Sequence, residues 1–559
     1  MNTLTGRVDL HTHSSFSDGT LTPTELVKLA AQTGLSSIAL TDHDTTDGVR
    51  EALAAADRYG VEVIPGVELS TDYNGKDIHI VGLFIDFRDE AFTARLHALR
   101  EEREARNGRM AGKLTDAGFP MTIEELHQEF RESVLTRAHF ARFMMSRGYV
   151  STIVEAFEKY IGEDCPCYVP REKVTPQDAV RMILRHHGIP VLAHPMQYKL
   201  GDEVLRRLVG ELKDAGLAGI EVRYCTHTEE EVAYLSAIAE EFGLMKSGGS
   251  DFHGENKPGL SLGTGYGDLE VPAEYLTAMK HRLHGITSDT KVFFSDFDGT
   301  LVNSRRELMP AVRDALQKWS EAGNRFVLIS GRALSNVLTL AEEKDLHYSG
   351  MFLCGFNGTG LYDCEREMTL YHTGIDLAIC GEVCRIAREN GIHFQTYEGK
   401  HILCEHDNEA LAFYVERVQM PVIITDDVMK YQKNRPGKIL AIELEQPKKL
   451  EVLRSQLHER FPDDLEMFYS NPNYLEIVPK GINKGTILRW LCRELGLPIE
   501  NAIAAGDSEN DLEMIRAAGC GILMKNGAEL YPSMREAADL ITEQDCDHDG
   551  FAPELMRMI

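Results

Sequence analysis

The sequence predicts two α/β units in succession, and three observations point to it. Between Val8 and His253 seven short β-branched or apolar runs alternate with turns and helical patterns. A charged helical stretch interrupts that series, and around Gly285 to Thr290 the pattern resets before a second series begins. Length agrees, since 559 residues at roughly 100 to 200 residues per domain fit two to four domains.

The seven runs are VDLHTH, SSIALTDH, EVIPGVE, IHIVGLFI, IPVLAHP, GIEVRY and LMKSGGSD. They read as parallel strands joined by crossover helices. Polar residues fall at or just beyond their ends: His11 and His13, Asp42 with His43, Glu68, His194, and Asp251 with His253. In an α/β barrel the C-terminal ends of the strands share the face that carries the chemistry, so these distant residues are expected to converge. Between the fourth and fifth runs, about 89–185, the segments EEREARNGRMAGKL and TRAHFARFMMSRG have helical periodicity and no strand. They predict a helical insertion over the barrel mouth.

The second unit opens at KVFFSDFDGT and continues through NRFVLIS, GMFLCGFNG, NAIAAGD and CGILM, alternating with helices such as MPAVRDALQKWSEAG. From about 372 to 469 the chain takes on strand and helix character of its own, in HILCEH, KILAIELE and LEMFYS. That segment reads as an inserted cap.

Hydrophobic residues at 43% and charged residues at 26% exclude a disordered chain, and no apolar run approaches the roughly 20 residues that cross a bilayer. The N-terminal MNTLTGRVDLH lacks a basic region followed by an apolar stretch, so a cytoplasmic protein is expected. Eleven cysteines without repeating spacing, the nearest pair being Cys165 and Cys167, read as reduced structural thiols. A formal charge of −29 argues against binding long duplex nucleic acid. Small phosphorylated substrates and short oligonucleotides remain open where cations are bound locally.

His11 and His13 stand two apart on a strand, so both imidazoles point the same way. With Asp18, His43, Glu68, His79, His194, Asp251 and His253 they make nine imidazole or carboxylate groups, costly to bury without compensation. Divalent cations supply that compensation, and imidazole mixed with carboxylate suits zinc, manganese or iron.

Together these motifs resemble the PHP family, named for polymerase and histidinol phosphatase, over residues 3 to about 285. The resemblance implies a distorted seven-stranded (β/α) barrel around a trinuclear metal centre. His11, His13, Glu68 and Asp251 would hold one metal. Glu68 would share a second with His79 and His194, and Asp18, His43 and His253 would hold the third. With Asp rather than His at position 18, two or three metals are expected. Closely spaced metals polarise a phosphoryl oxygen and generate hydroxide near neutral pH, so phosphoester hydrolysis by metal-bound hydroxide follows.

Within the family, TRAHFAR with the AHP and SDFH segments resembles the branch that hydrolyses nucleoside 3′,5′-bisphosphates and trims short oligonucleotides from the 5′ end. That implies Arg137 and His139 at the second phosphate, Arg offering a planar fork. The alternative for Arg137 is a solvated helix. His227, in YCTHT, is either a substrate contact or structural.

In KVFFSDFDGTLVNS, Asp296 and Asp298 straddle Phe297 at the end of an apolar strand, and Gly299 permits the sharp turn that aims both forward. One carboxylate can attack phosphorus while the other protonates the leaving oxygen. AAGDSENDLEMI offers Asp507, Asn510 and Asp511 to a magnesium ion. Ser330 in VLISGR can donate to a phosphoryl oxygen, and Lys484 in PKGINKG can neutralise developing charge.

This arrangement resembles the haloacid dehalogenase (HAD) superfamily, in its Cof-type phosphatase branch, from about Lys291 to the C-terminus. The resemblance implies a Rossmann-like core with an α/β cap and Asp296 as nucleophile. Asp298 would be general acid and base, Ser330 and Lys484 phosphate ligands, and Asp511 a supporting residue beside Asn510. Asp296, Asp298 and Asp507 are expected around magnesium, and Arg332 and Asn357 are either substrate contacts or loop structure. The expected substrate is a sugar phosphate, nucleotide or cofactor. Two alternatives stand: the barrel acts on another phosphoester such as histidinol phosphate, or one half is a non-catalytic regulatory module.

Overall fold

The computed structural model describes residues 6–559 apart from 75, 131–134, 136, 163, 170–173 and 419. The expected domain start at residue 3, Thr136 of TRAHFAR and parts of the insertion therefore lie outside the described residues. The chain forms two compact units, Met1–Leu283 and His284–Ile559. Among the described residues no helix is long and apolar enough to cross a membrane.

The first unit is built on seven strands: β1 (Arg7–Thr12), β2 (Leu35–Leu40), β3 (Glu62–Tyr73), β4 (Lys76–Leu83), β5 (Ile189–Leu192), β6 (Gly219–Tyr224) and β7 (Met245–Gly249). They lie side by side in sequence order. The sheet nearly closes where Asp251 N donates to His11 O at 2.8 Å and His13 N to Phe252 O at 3.0 Å. β1 is buried on both faces beyond Arg7, as a covered parallel strand must be.

One strand departs from the all-parallel reading. β4 runs antiparallel to both β3 and β5. Only residues 74 and 75 separate β3 from β4, whereas a parallel crossover needs roughly a dozen residues or more. Asn74, at φ +53°, begins the Asn-Gly pair that favours tight hairpins. The reversal brings the N-terminal half of β4 to the face where the other strands end.

Helices cover the barrel for ordinary local reasons. The helix Pro23–Gln32 starts at a Thr22 and Glu25 capping box with Pro23 in its first turn, and buries Leu26, Val27 and Ala30. Between β4 and β5, the described residues contain helices at Glu90–Asp116, Ile123–Glu129, Arg137–Ser146 and Pro176–Arg185. Met110, Leu114, Leu126, Phe140 and Phe143 form a core of their own there.

The second unit begins with β8 (Val292–Asp296), β9 (Arg325–Ile329), β10 (Phe352–Gly355), β11 (Gly360–Asp363) and β12 (Met368–His372). Six strands follow: β13 (His393–Glu398), β14 (His401–Cys404), β15 (Val422–Ile424), β16 (Ile439–Ile442), β17 (Leu465–Asn471) and β18 (Tyr474–Pro479). The chain then adds β19 (Ala502–Gly506), β20 (Cys520–Leu523) and β21 (Leu540–Ile541). The core sheet has the order β12-β11-β10-β9-β8-β19-β20-β21, parallel except for the β10-β11-β12 edge.

β8 sits where the winding reverses, with β9 on one side and β19 on the other. Such switch points open a crevice at the carboxyl ends of the strands. The cap sheet has the order β15-β14-β13-β16-β18-β17, so cap pairing runs to Pro479 rather than ending near 469. The run YLEIVP pairs with both β16 and β17, which places it in the cap.

The segment entering this unit is held by side chains. Arg325 Nη2 donates to the carbonyls of His284 and Gly285 at 2.8 and 3.0 Å. Asn501 Nδ2 donates to those of Ser288 and Thr290, both at 2.9 Å.

Candidate metal centres

Glu68 is the hub of the barrel mouth. Its Oε2 lies 3.3 Å from His11 Nε2, 3.2 Å from His13 Nε2 and 3.2 Å from His43 Nδ1. Its Oε1 lies 2.8 Å from His79 Nδ1 and 3.1 Å from His194 Nε2. Five imidazoles from four strands or their ends thus surround one carboxylate that is 1% exposed. Glu68 pairs with Val81 and Ser70 with His79, so Glu68 and His79 share a sheet face and meet across a diagonal.

Two further carboxylates complete the ring. Asp251 Oδ1 lies 3.2 Å from His13 Nε2, 3.6 Å from His11 Nε2 and 3.3 Å from His253 Nδ1. Asp18 Oδ1 lies 3.0 Å from His253 Nε2, and its Oδ2 lies 3.8 Å from His43 Nε2.

Ligand atoms gather in three groups: His11, His13, Glu68 and Asp251; His13, Asp18, His43 and His253; and His43, Glu68 and His79. All nine sequence-predicted residues come together, although His194 joins through Glu68 rather than as a member of a group.

These residues fit divalent cations. Among the described residues, His11 Nε2, His13 Nε2, His43 Nδ1 and Asp18 Oδ1 are buried with no hydrogen-bond partner. Native structures rarely tolerate such orphans, and here all face the same ring of donors.

The electrostatics point the same way. Burial would raise Glu68, but the imidazoles of His43, His11 and His79 hold it well below the usual carboxylate range. Burial drives His43 down to about 4 against the pull of Glu68 and Asp18. Burial would also lower His13, yet Asp251 and Glu68 bring it up to about 9.

Backbone and supporting side chains fix the ligands. His194 and Asp251 adopt φ of +26° and +54°, a region costly for residues other than glycine. Asp42 accepts from Ser14 N at 2.7 Å and Ser17 Oγ at 2.6 Å, bracing the loop between His13 and Asp18. Tyr224 donates to Asp251 Oδ2 at 2.7 Å, and Lys257 contacts the same oxygen. Glu221, within β6, is a buried acid that the sequence reading passed over.

Arg137 lies 3.6 Å from Asp77, whose carboxylate is 3.8 Å from His79. Its guanidinium rests against Phe157 and Tyr168. His139 is buried beside Phe130, and burial lowers it to about 4. His227 hydrogen-bonds Val222 O at 3.1 Å and belongs to none of the ligand groups.

In the second unit Asp296 ends β8, while Asp507 follows β19 and forms a ligand group with Asp296 and Asp511. Lys484 is wholly buried, contacts Asp296 and lies 2.6 Å from Asp511 Oδ1. Asp511 Oδ2 accepts from the amides of Asp507 and Ser508, both at 3.0 Å.

Burial first, with Asp511 and Asp507 adding to it against Lys484, pushes Asp296 up to about 8. Burial and Asp511 push Asp507 up to about 7. Three carboxylates facing one lysine favour a bound cation of the magnesium type.

Asp298 stands apart from the expected magnesium set. Its half-exposed side chain is gripped by Arg332, with Nη2 to Oδ2 at 2.9 Å and Nε to Oδ2 at 3.2 Å, so its carboxylate is outside the ligand group. Arg332, left open by the sequence, therefore has a partner. Ser330 is buried and its Oγ accepts from Arg332 N at 3.3 Å. Asn510 Nδ2 lies 3.4 Å from Asn357 Oδ1.

Both halves of the chain match known families. The PHP domain profile matches residues 9–160, and the haloacid dehalogenase-like hydrolase profile matches residues 293–555. Over 250 residues the chain is 39% identical to a 5′-3′ exoribonuclease of Haemophilus influenzae, covering 45% of this chain and 91% of the relative. It is 37% identical over 257 residues to a 3′,5′-nucleoside bisphosphate phosphatase of Chromobacterium violaceum, covering 46% and 90%. A haloacid dehalogenase-like hydrolase structure from Bacteroides thetaiotaomicron is 31% identical, covering 48% of this chain and all of that one, with a TM-score of 0.45. The chain thus belongs to the PHP family through its N-terminal half and to the haloacid dehalogenase-like hydrolases through its C-terminal half.

Proposed function

We propose that the protein is a bifunctional phosphoester hydrolase. The barrel hydrolyses nucleoside 3′,5′-bisphosphates and trims short 5′-phosphorylated oligonucleotides, and the second unit hydrolyses a small phosphomonoester through an aspartyl phosphate on Asp296. The observation that carries the first half is the Glu68 carboxylate within 3.3 Å of five imidazole nitrogens. The relatives named for bisphosphate hydrolysis and exoribonuclease action support the substrate class.

Bound at these ligand groups, divalent cations such as manganese, zinc or iron would polarise a phosphoryl oxygen and lower the pKa of water. The protein's own groups do the positioning. Arg137, its guanidinium resting near Phe157 and Tyr168, offers its fork to a second phosphate, with His139 on the same helix as a further candidate contact.

In the second unit, Asp296 attacks phosphorus, and Asp298 gives its proton to the leaving oxygen. Asp298 then takes a proton from the water that opens the acyl phosphate, releasing phosphate and restoring Asp296. Lys484 favours the ionised form of Asp296, and Ser330 offers a donor to the transferred group.

The test is phosphate release from adenosine 3′,5′-bisphosphate with manganese, comparing wild type, His43→Ala and Asp296→Asn. Loss in the His43 variant alone is the expected result. Wild-type inactivity would remove the bisphosphate assignment, and full turnover of phosphomonoesters by Asp296→Asn would remove the aspartyl phosphate.

A further inference from the structure

We infer that Glu221 is the positioning residue of the barrel's metal centre, binding no metal itself but setting two ligands that do. This rests on the metal-centre reading and extends it to a residue outside all three ligand groups.

Glu221 is 1% exposed, and each of its oxygens has one partner. Oε1 lies 2.9 Å from His11 Nδ1, and Oε2 accepts from the backbone N–H of His194 at 2.6 Å. An ionised carboxylate only accepts, so His11 must carry its proton on Nδ1. That fixes the ring: with a proton on Nδ1, Nε2 is the atom left to hold a metal, and among the described residues it is aimed at Glu68 and Asp251 with no hydrogen-bond partner.

The second bond addresses a different difficulty. His194 sits at φ +26° and ψ 56°, outside the ordinary regions for a side chain with a Cβ, and persists there only if its surroundings hold it. The amide bond to Glu221 is such a restraint, and it leaves His194 Nε2 3.1 Å from Glu68 Oε1. One carboxylate on β6 therefore ties a ligand from β1 to a ligand that follows β5. Carboxylates behind metal-binding imidazoles orient the ring and raise its basicity, and losing one typically weakens metal binding by about 10- to 100-fold.

A merely structural Glu221 and a positioning Glu221 differ in what their loss does without metal. Glu221→Gln is isosteric, keeps an acceptor for the His194 N–H and sets its amide against His11 Nδ1, so both partners stay satisfied in the metal-free protein. The experiment is manganese and zinc binding to the full chain by competition with a fluorescent chelator. Thermal unfolding with and without metal is followed in parallel for wild type, Glu221→Gln and Glu221→Asp.

Glu221→Gln keeps one acceptor and puts an N–H₂ against the other partner. It is expected to unfold at the wild-type temperature when metal-free, to bind metal about 10- to 100-fold more weakly, and to gain correspondingly less stability on metal addition. Equal affinity in wild type and Glu221→Gln, or an equal drop in unfolding temperature with and without metal, overturns the role of Glu221. A wild-type chain that binds neither metal would instead overturn the metal-centre reading itself. Glu221→Asp, a carboxylate set back by one methylene, should fall between the two; affinity below that of Glu221→Gln would also overturn the proposal.

Discussion

His79 Nδ1 lies 2.8 Å from Glu68 Oε1, and it does so because β4 runs opposite to its neighbours. Were β4 parallel, His79 would sit near the far end of the barrel. Glu68→Ala leaves the converging imidazoles without their shared carboxylate. Barrel-bound metal should fall by at least one ion per chain, with hydrolysis of adenosine 3′,5′-bisphosphate lowered by more than the roughly hundredfold typical of losing an outer partner alone. Metal content by mass spectrometry checks the first, and unchanged content would contradict the hub role of Glu68.

Asp296 gives the second unit a pH dependence of definite sign. Its folded pKa of about 8 lies above its ordinary value of 3.8. The metal-free folded state therefore keeps a proton that the unfolded chain has released, and stability falls as pH rises between those values. Denaturant unfolding of metal-free protein at pH 5 and pH 8 should show a loss in wild type that Asp296→Asn reduces. Asp507, raised to about 7, leaves a smaller residual loss. An equal pH dependence in both proteins would refute the assignment.

Gly299 has φ +80°, and a Cβ there would lie 2.3 Å from Asp507 Oδ2. The left-handed backbone alone costs an added side chain about 1–2 kcal/mol, and Asp507 must also move. Gly299→Ala should weaken magnesium activation of phosphomonoester turnover while leaving metal binding in the barrel unchanged. Titrating turnover against magnesium decides it, and a wild-type curve would count against Asp507 as a ligand.

Arg137→Ala removes the fork beside Asp77, the acid next to His79. A charge-assisted hydrogen bond contributes about 1.5–3 kcal/mol, so KM for a nucleoside bisphosphate should rise about 10- to 100-fold, with little change for a monophosphate. An equal effect on both substrates would assign Arg137 to the helix surface instead.

Much of both sites was legible in the sequence for identifiable reasons. His11, His13 and Asp251 sit where parallel strands end, and strand ends are readable from apolar runs. Asp296, Ser330, Lys484 and Asp507 follow one another in an order with few accidental matches. The direction of β4 was hidden although Asn74 begins a hairpin signature, because the alternation around it reads equally well in either direction. Glu221 was hidden because GIEVRY is a good buried strand and one acid in it carries no periodic signal; the cost of burying that acid was the available clue. Asp298 was expected around the metal from the resemblance, and the pairing of its carboxylate with Arg332 depends on a loop that only the fold brings near. The cap boundary slipped because YLEIVP has the same pattern whether it belongs to cap or core.

The grip of Arg325 and Asn501 on residues 284–290 bears on how the chain can be divided. Those four hydrogen bonds make the stretch that looks like a spacer in the sequence part of the second unit's fabric. Cutting at Lys291, where the sequence pattern resumes, would strip Arg325 Nη2 and the Asn501 amide of these acceptors. Dividing ahead of His284 would keep them, so severing the two enzymes cleanly means leaving the apparent tether entirely with the second.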